Sequence, residues 1–190
     1  MIVTTTNTQE RKRSVHDLDE DLSFLFQKRS CMTNLVPDFE CNAFYQGQVV
    51  DIRLSNLLEQ YNSVVLFFYE RDFTANSLRD VEQVREHYDE FAAKNSLPIM
   101  ISTDTAMVHR GFCSTEAQGG LSYQPEFPML GDTTRLITRH FDVLNNDTGN
   151  ARRSVFVIDH HHKVKYSFMP LDSEQPFSMP VILSIAGNVV

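Results

Sequence analysis

The seven residues Ser63 to Tyr69, SVVLFFY, constrain this chain more than any other stretch. After the leading serine they are β-branched, aliphatic or aromatic without a break. The run is too short for a buried helix, so it reads as a strand covered on both faces, in the interior of a sheet. The segment that follows agrees. Leu78 to Asn95 repeats Val81, Val84, Tyr88 and Phe91 on one helical face, and Leu97 to Ser102 is a second buried strand. Strand, helix, strand in that order predicts a right-handed parallel crossover.

The same α/β alternation extends from Pro37 onward. Thr105 to Cys113 reads as a helix, Gly119 to Pro128 as a loop, and Thr133 to Phe141 as a short helix. Ser154 to Ile158 and Lys163 to Phe168 read as a hairpin joined around Asp159-His160-His161-His162. Residues 176 to 186 fit a last helix with Pro180 in its first turn. Upstream, residues 1 to 13 carry almost nothing to bury, which predicts disorder. Ser14 then opens an amphipathic helix with Val15, Leu18, Leu22, Leu25 and Phe26 on one face. The organisation expected is a polar leader over 1–35, with that short helix, and one domain over 36–190, since 190 residues suffice for one good core.

Charge and cysteine usage narrow the function classes. A formal net charge of −8, with no basic stripe, argues against a nucleic-acid partner. No apolar stretch approaches the roughly 20 residues that span a bilayer, and Met1 to Glu10 is no signal sequence, so a cytoplasmic protein without a membrane partner is expected. Cys31, Cys41 and Cys113 form no CxxC pair and no metal-type spacing, which predicts free thiols. His160 to His162 in a hairpin turn read as a solvated turn, so neither a metal nor another cofactor is expected. The sequon Asn146-Asp147-Thr148 carries no weight without a secretory signal.

Several motifs recur in the order and spacing of one family. They are Pro37-Asp38-Phe39, Val64 to Tyr69, Asp72-Phe73-Thr74, Gly119-Gly120-Leu121, Phe127 to Asp132 and Arg153 to Asp159. Over roughly Pro37 to Gly187 the chain resembles the alkyl hydroperoxide reductase C / thiol-specific antioxidant branch of the peroxiredoxins. The resemblance implies a thioredoxin-like α/β fold, a mixed central sheet flanked by helices. It also implies a peroxidatic site at the start of the helix after the VVLFFY strand, where the family reads P-x-x-x-T-x-x-C with a distant arginine.

Carried over position by position, the motif gives Glu70 for the proline, Thr74 for the threonine, Ser77 for the peroxidatic cysteine and Arg153 for the arginine. Asn76 and Leu78 also depart from the family pattern, so divergence runs across the motif. Peroxide reduction needs a thiolate that becomes a sulfenic acid, and a serine hydroxyl neither ionises near pH 7 nor has that oxidation ladder. Glu70 either pairs with Arg153, opposing any adjacent anion, or points to solvent. The structural alternative for Arg153 is a salt bridge from strand to helix, to Asp80 or Glu70.

Two function classes follow. One is a non-catalytic peroxiredoxin-like binding or assembly module, as a homodimer or higher oligomer built through an edge strand, with Lys163 to Phe168 as candidate, or through the loop around the site. The other is a thiol peroxidase relocated to Cys113 or Cys41, with a thioredoxin-type reductant. For these thiols the expectation is a more exposed Cys113, before the glycine loop, and a buried packing role for Cys41 on or near an early strand. The family's C-terminal arm with a resolving cysteine is expected to be missing. A serine hydrolase on Ser77 lacks both a GxSxG elbow and placed partners, the nearest histidines being His87 and His109.

Overall fold

The computed structural model describes residues 34–172 and 175–189. The leader helix expected from Ser14, the polar run before it, and Cys31 lie outside the described residues. The sheet has seven strands: β1 (Glu40–Tyr45), β2 (Gln48–Arg53), β3 (Ser63–Phe68), β4 (Ser96–Ser102), β5 (Met129–Gly131), β6 (Ser154–Asp159) and β7 (Val164–Phe168). Their order across the sheet is β2-β1-β5-β4-β3-β6-β7. β3 and β4 pair in parallel, as the crossover requires, and so do β4 and β5. The other neighbours are antiparallel.

Every residue of β3 is buried, and its alternation divides the core in two. Val65 and Phe67 join Val81, Val84, Phe91, Phe112 and Ile182 on one face. Val64, Leu66 and Phe68 join Leu54, Ile137 and Phe141 on the other. The first face is covered by α2 (Ala75–Glu86), α3 (Tyr88–Ala93), α4 (Ala106–Phe112) and α6 (Met179–Ala186). The second is covered by α1 (Leu54–Leu58) and α5 (Leu136–His140).

The structure corrects the sequence reading at two helices and adds a hairpin that the sequence reading did not place. The helix expected over Leu78 to Asn95 starts earlier, at Ala75, and breaks at His87. There the His87 Nδ1 lies 2.9 Å from the Gln83 carbonyl, while the His87 N–H turns to Val84 O. The side chain takes the acceptor that the next helical bond needs, and the helix restarts as α3. The last helix begins at Met179, not 176, with Pro180 in its first turn. The β1–β2 hairpin has no alternating pattern of the usual kind. Its turn is Gln46-Gly47 with φ of 50° and 78°, the left-handed pair that a two-residue hairpin demands. No helix among the described residues is long and apolar enough to cross a membrane.

The Thr74–Arg153 cleft as candidate functional site

Four of the residues singled out in the sequence come together. Glu70, Thr74, Ser77 and Arg153 line one cleft of about 300 Å³ with Asp80, Asn145, Thr148 and Arg152. β3 ends at Phe68, Tyr69 after it lines the cleft, and the loop from Tyr69 to Phe73 leads into α2.

Thr74 is the N-cap of α2 and Ser77 its third residue, and the two form a reciprocal capping box. The Ser77 N–H donates to Thr74 Oγ1 at 3.1 Å and the Thr74 N–H donates to Ser77 Oγ at 3.1 Å. The Ser77 hydroxyl in turn donates to the Thr74 carbonyl at 2.8 Å, and the Thr74 hydroxyl lies 3.0 Å from Ser77 Oγ. A hydroxyl has one proton and two lone pairs. At Ser77, which is 2% exposed, all three are engaged inside the cap.

Arg153, just ahead of β6, reaches across to α2. Its Nε–H and Nη2–H donate to the two Asp80 oxygens at 2.5 and 2.7 Å, a bidentate pair with Asp80 almost fully buried. Nη1 donates to the Gln175 carbonyl at 2.5 Å, and the guanidinium stacks 4.2 Å from the Phe177 ring centre. The strand-to-helix salt bridge is therefore made to Asp80, and the Glu70–Arg153 pairing is not formed. Glu70 is exposed and accepts from Asn150 Nδ2 at 3.4 Å, toward the hairpin closed by Leu144 and Ala151.

Cys41 and Cys113 lie elsewhere, and their environments reverse the expectation. Cys113 is buried at the C-terminus of α4, with its thiol 3.5 Å from Met129 Sδ, whereas Cys41 on β1 is half-buried. Burial, then the Asp72 carboxylate, pushes the Cys113 thiol up to about 12. Burial, then Asp132, does the same at Cys41, also to about 12. Neither lines the Ser77 cleft. The three histidines form the β6–β7 turn around Asp159, whose Oδ1 accepts from the His161 and Lys163 N–H groups. No group of three or more metal-ligating side chains occurs among the described residues.

The sequence reading missed a buried polar network under the cleft. Tyr69 donates to Asp72 at 2.7 Å, His109 Nδ1 lies 2.8 Å from the other Asp72 oxygen, and His109 Nε2 donates to Leu130 O at 3.1 Å. The Asp72 N–H donates to Asp104. Asp72 was visible as part of the DFT motif, but nothing in the spacing pointed to a histidine 37 residues on. The anchored Asp72 holds its neighbour Phe73 at a φ of 58°, a left-handed conformation that costs a bulky residue free energy. Phe73 is 47% exposed and packs edge-on against Phe112.

A seven-stranded mixed sheet with helices on both faces, and a cleft at the start of the helix after an interior strand, define a thioredoxin-like α/β protein. The chain belongs to the AhpC/TSA family of peroxiredoxins, whose family model matches residues 32–167. Among curated relatives, a chloroplastic 2-Cys peroxiredoxin of Spinacia oleracea is 29% identical over 134 residues, 70% of this chain and 50% of that protein. A thioredoxin peroxidase of Echinococcus granulosus is 34% identical over 125 residues, 66% of this chain and 64% of that one. The chain thus spans between half and two thirds of these relatives. Two solved structures share the fold. The reduced 2-Cys peroxiredoxin of Plasmodium vivax aligns with a TM-score of 0.72 at 24% identity, covering 80% of this chain and 78% of the other. AhpC of Enterococcus faecalis aligns with a TM-score of 0.71 at 23% identity, covering 79% and 86%.

Proposed function

We propose that this peroxiredoxin-family protein does not turn over peroxide, that Ser77 stands at the position of the peroxidatic cysteine, and that the protein acts as a binding or assembly module. The observation that carries this reading is the saturated Ser77 hydroxyl. Its proton and both lone pairs are committed to the α2 cap, so it presents nothing to a ligand in the cleft. Oxygen in place of sulfur also removes the sulfenic acid step. Arg153, in the place of the family arginine, is held by Asp80 and acts as a strut between β6 and α2.

The competing reading, a relocated thiol, is disfavoured at both described cysteines, because thiols held near pKa 12 supply almost no thiolate at neutral pH. A thioredoxin-type reductant would then have no disulfide to reduce, and the cytosol remains the compartment in which unpaired thiols persist. A homodimer fits the module reading, since an assembly role needs a surface and not a nucleophile.

The test is hydrogen peroxide and alkyl hydroperoxide turnover by the reduced protein, with dimedone trapping and mass spectrometry. A rate no faster than that of a free thiol, with no labelled cysteine, is expected. Rapid turnover that disappears when Cys113 and Cys41 are both changed to serine would overturn the reading and restore a peroxidase.

A further inference from the structure

A second cavity lies away from the Ser77 cleft, with Cys41 in its lining. It is a groove of about 460 Å³ between the start of β1, the loop after β5 and α5. That is the size range of small-molecule sites. Its floor is apolar: Ile137 and Phe141 are buried, Phe39 packs on the same core cluster, and Leu136 stands 65% exposed at the rim.

The charges around this floor have one sign. Asp38, Glu40 and Asp132 line the groove, and among the described residues no lysine or arginine does. Arg53, outside the lining, ion-pairs with Asp38 and Glu40 at 3.5 and 3.3 Å, but one cation faces two carboxylates there. Asp132 is 2% exposed, and its donors are the Thr138 N–H and hydroxyl at 2.7 Å and the Thr134 hydroxyl at 3.3 Å, all neutral. Its field is felt in the groove, where it is the second cause, after burial, that raises the Cys41 thiol. His140, the one basic side chain among the described lining residues, is held below its ordinary pKa by burial, which favours the neutral imidazole.

We propose that this groove binds a small amphiphilic amine, its apolar body on Phe39, Leu136, Ile137 and Phe141 and its ammonium toward Glu40 and Asp132. The size of the groove selects a small molecule, and the sign of its charge selects a cation. An anion would meet carboxylates with no lysine or arginine among the described lining residues to offset them, and a neutral analogue would gain no charge attraction. The inference is independent of whether Ser77 is inert, because the two cavities share no lining residue.

The test uses phenethylamine, its neutral analogue 2-phenylethanol and its anionic analogue phenylacetate, titrated into the full-length labelled protein by NMR. The amine is expected to shift the resonances of Cys41, Ile137 and Phe141, leave those of Ser77 and Arg153 unmoved, and bind more tightly than the neutral analogue. Glu40→Gln is expected to weaken the amine by about two- to fivefold, the range for one partly exposed charge pair, and to leave the alcohol unchanged. His140→Lys, a surface substitution, should weaken the amine and strengthen phenylacetate. Equal binding of all three probes, or amine shifts confined to residues outside the groove, would overturn the proposal.

Discussion

Arg153 and Asp80 join the start of β6 to α2 through one ion pair. Both are nearly buried, and they meet through two charge-assisted hydrogen bonds. Removing one partner strands the other, so Asp80→Leu is expected to cost about 3–5 kcal/mol. Arg153→Met should fall near the lower end of that range, because Arg79 Nε lies 3.8 Å from Asp80 and takes up part of the charge. The double variant is expected to recover most of the loss, and denaturant unfolding of all four proteins measures the coupling. Strictly additive losses would show that the pair is not a unit. At Cys113 the raised pKa has a sign that can be checked. The folded state favours the neutral thiol, so this group stabilises the fold below its unfolded value of 9.0, and that contribution is lost as pH rises toward about 12. Alkylation of Cys113 in the native protein should therefore stay slow through pH 9 and accelerate only above it. Fast modification at pH 8 without unfolding would contradict the buried geometry.

Among the elements, the β6–β7 hairpin depends on Asp159. Burial raises its carboxyl, but the Lys163 and His161 N–H groups and the Lys165 ammonium outweigh burial and leave it below the ordinary carboxylate range. A depressed folded value means that its stabilisation is present above the unfolded value of 3.8 and is lost as pH falls through the folded one. Asp159→Asn is expected to cost about 1 kcal/mol at pH 7, and the melting temperatures of variant and wild type should converge as pH falls below 3.8. A constant gap across the titration would mean that charge plays no part. This hairpin was legible in the sequence because its strands are apolar runs of strand length and its turn is polar. β3, β4 and α4 were legible for the same reason, period and apolarity acting together. The continuous helix over Leu78 to Asn95 was misread because the break comes from one imidazole reaching a carbonyl, which leaves the apolar period intact. At the site, the motif picked out Glu70, Thr74, Ser77 and Arg153, and all four line one cleft. What it could not give was partner choice: whether Arg153 meets Glu70 or Asp80 depends on where a loop turns, and Asp72 fixes that loop through His109.

Across the described residues, the sheet has two edges, β2 and β7. An exposed edge is a liability unless it is short, covered or paired. β7 is partly covered by its own chain. Leu35 bridges Lys163 and the Val164 N–H donates to the Asn34 carbonyl, so the candidate edge from Lys163 to Phe168 is occupied at its start. Among the described residues no strand pairs with Lys165 to Phe168 on that side, and those four residues can pair with the same four of a second copy around a two-fold axis. Sedimentation should therefore give twice the 21.9 kDa mass of the chain. Hydrogen exchange of the Lys165–Phe168 amides should quicken on dilution while that of β3 does not. Ser167→Pro, which removes one ladder donor, should shift the equilibrium to monomer. A dimer whose β7 amides exchange at the same rate at every concentration would move the interface to the apolar surface of Phe73, Met107 and Val108, each more than a third exposed around the site loop. In that case Phe73→Lys, and not Ser167→Pro, would release the monomer, and the strained φ at Phe73 would be explained by what it presents to the second copy.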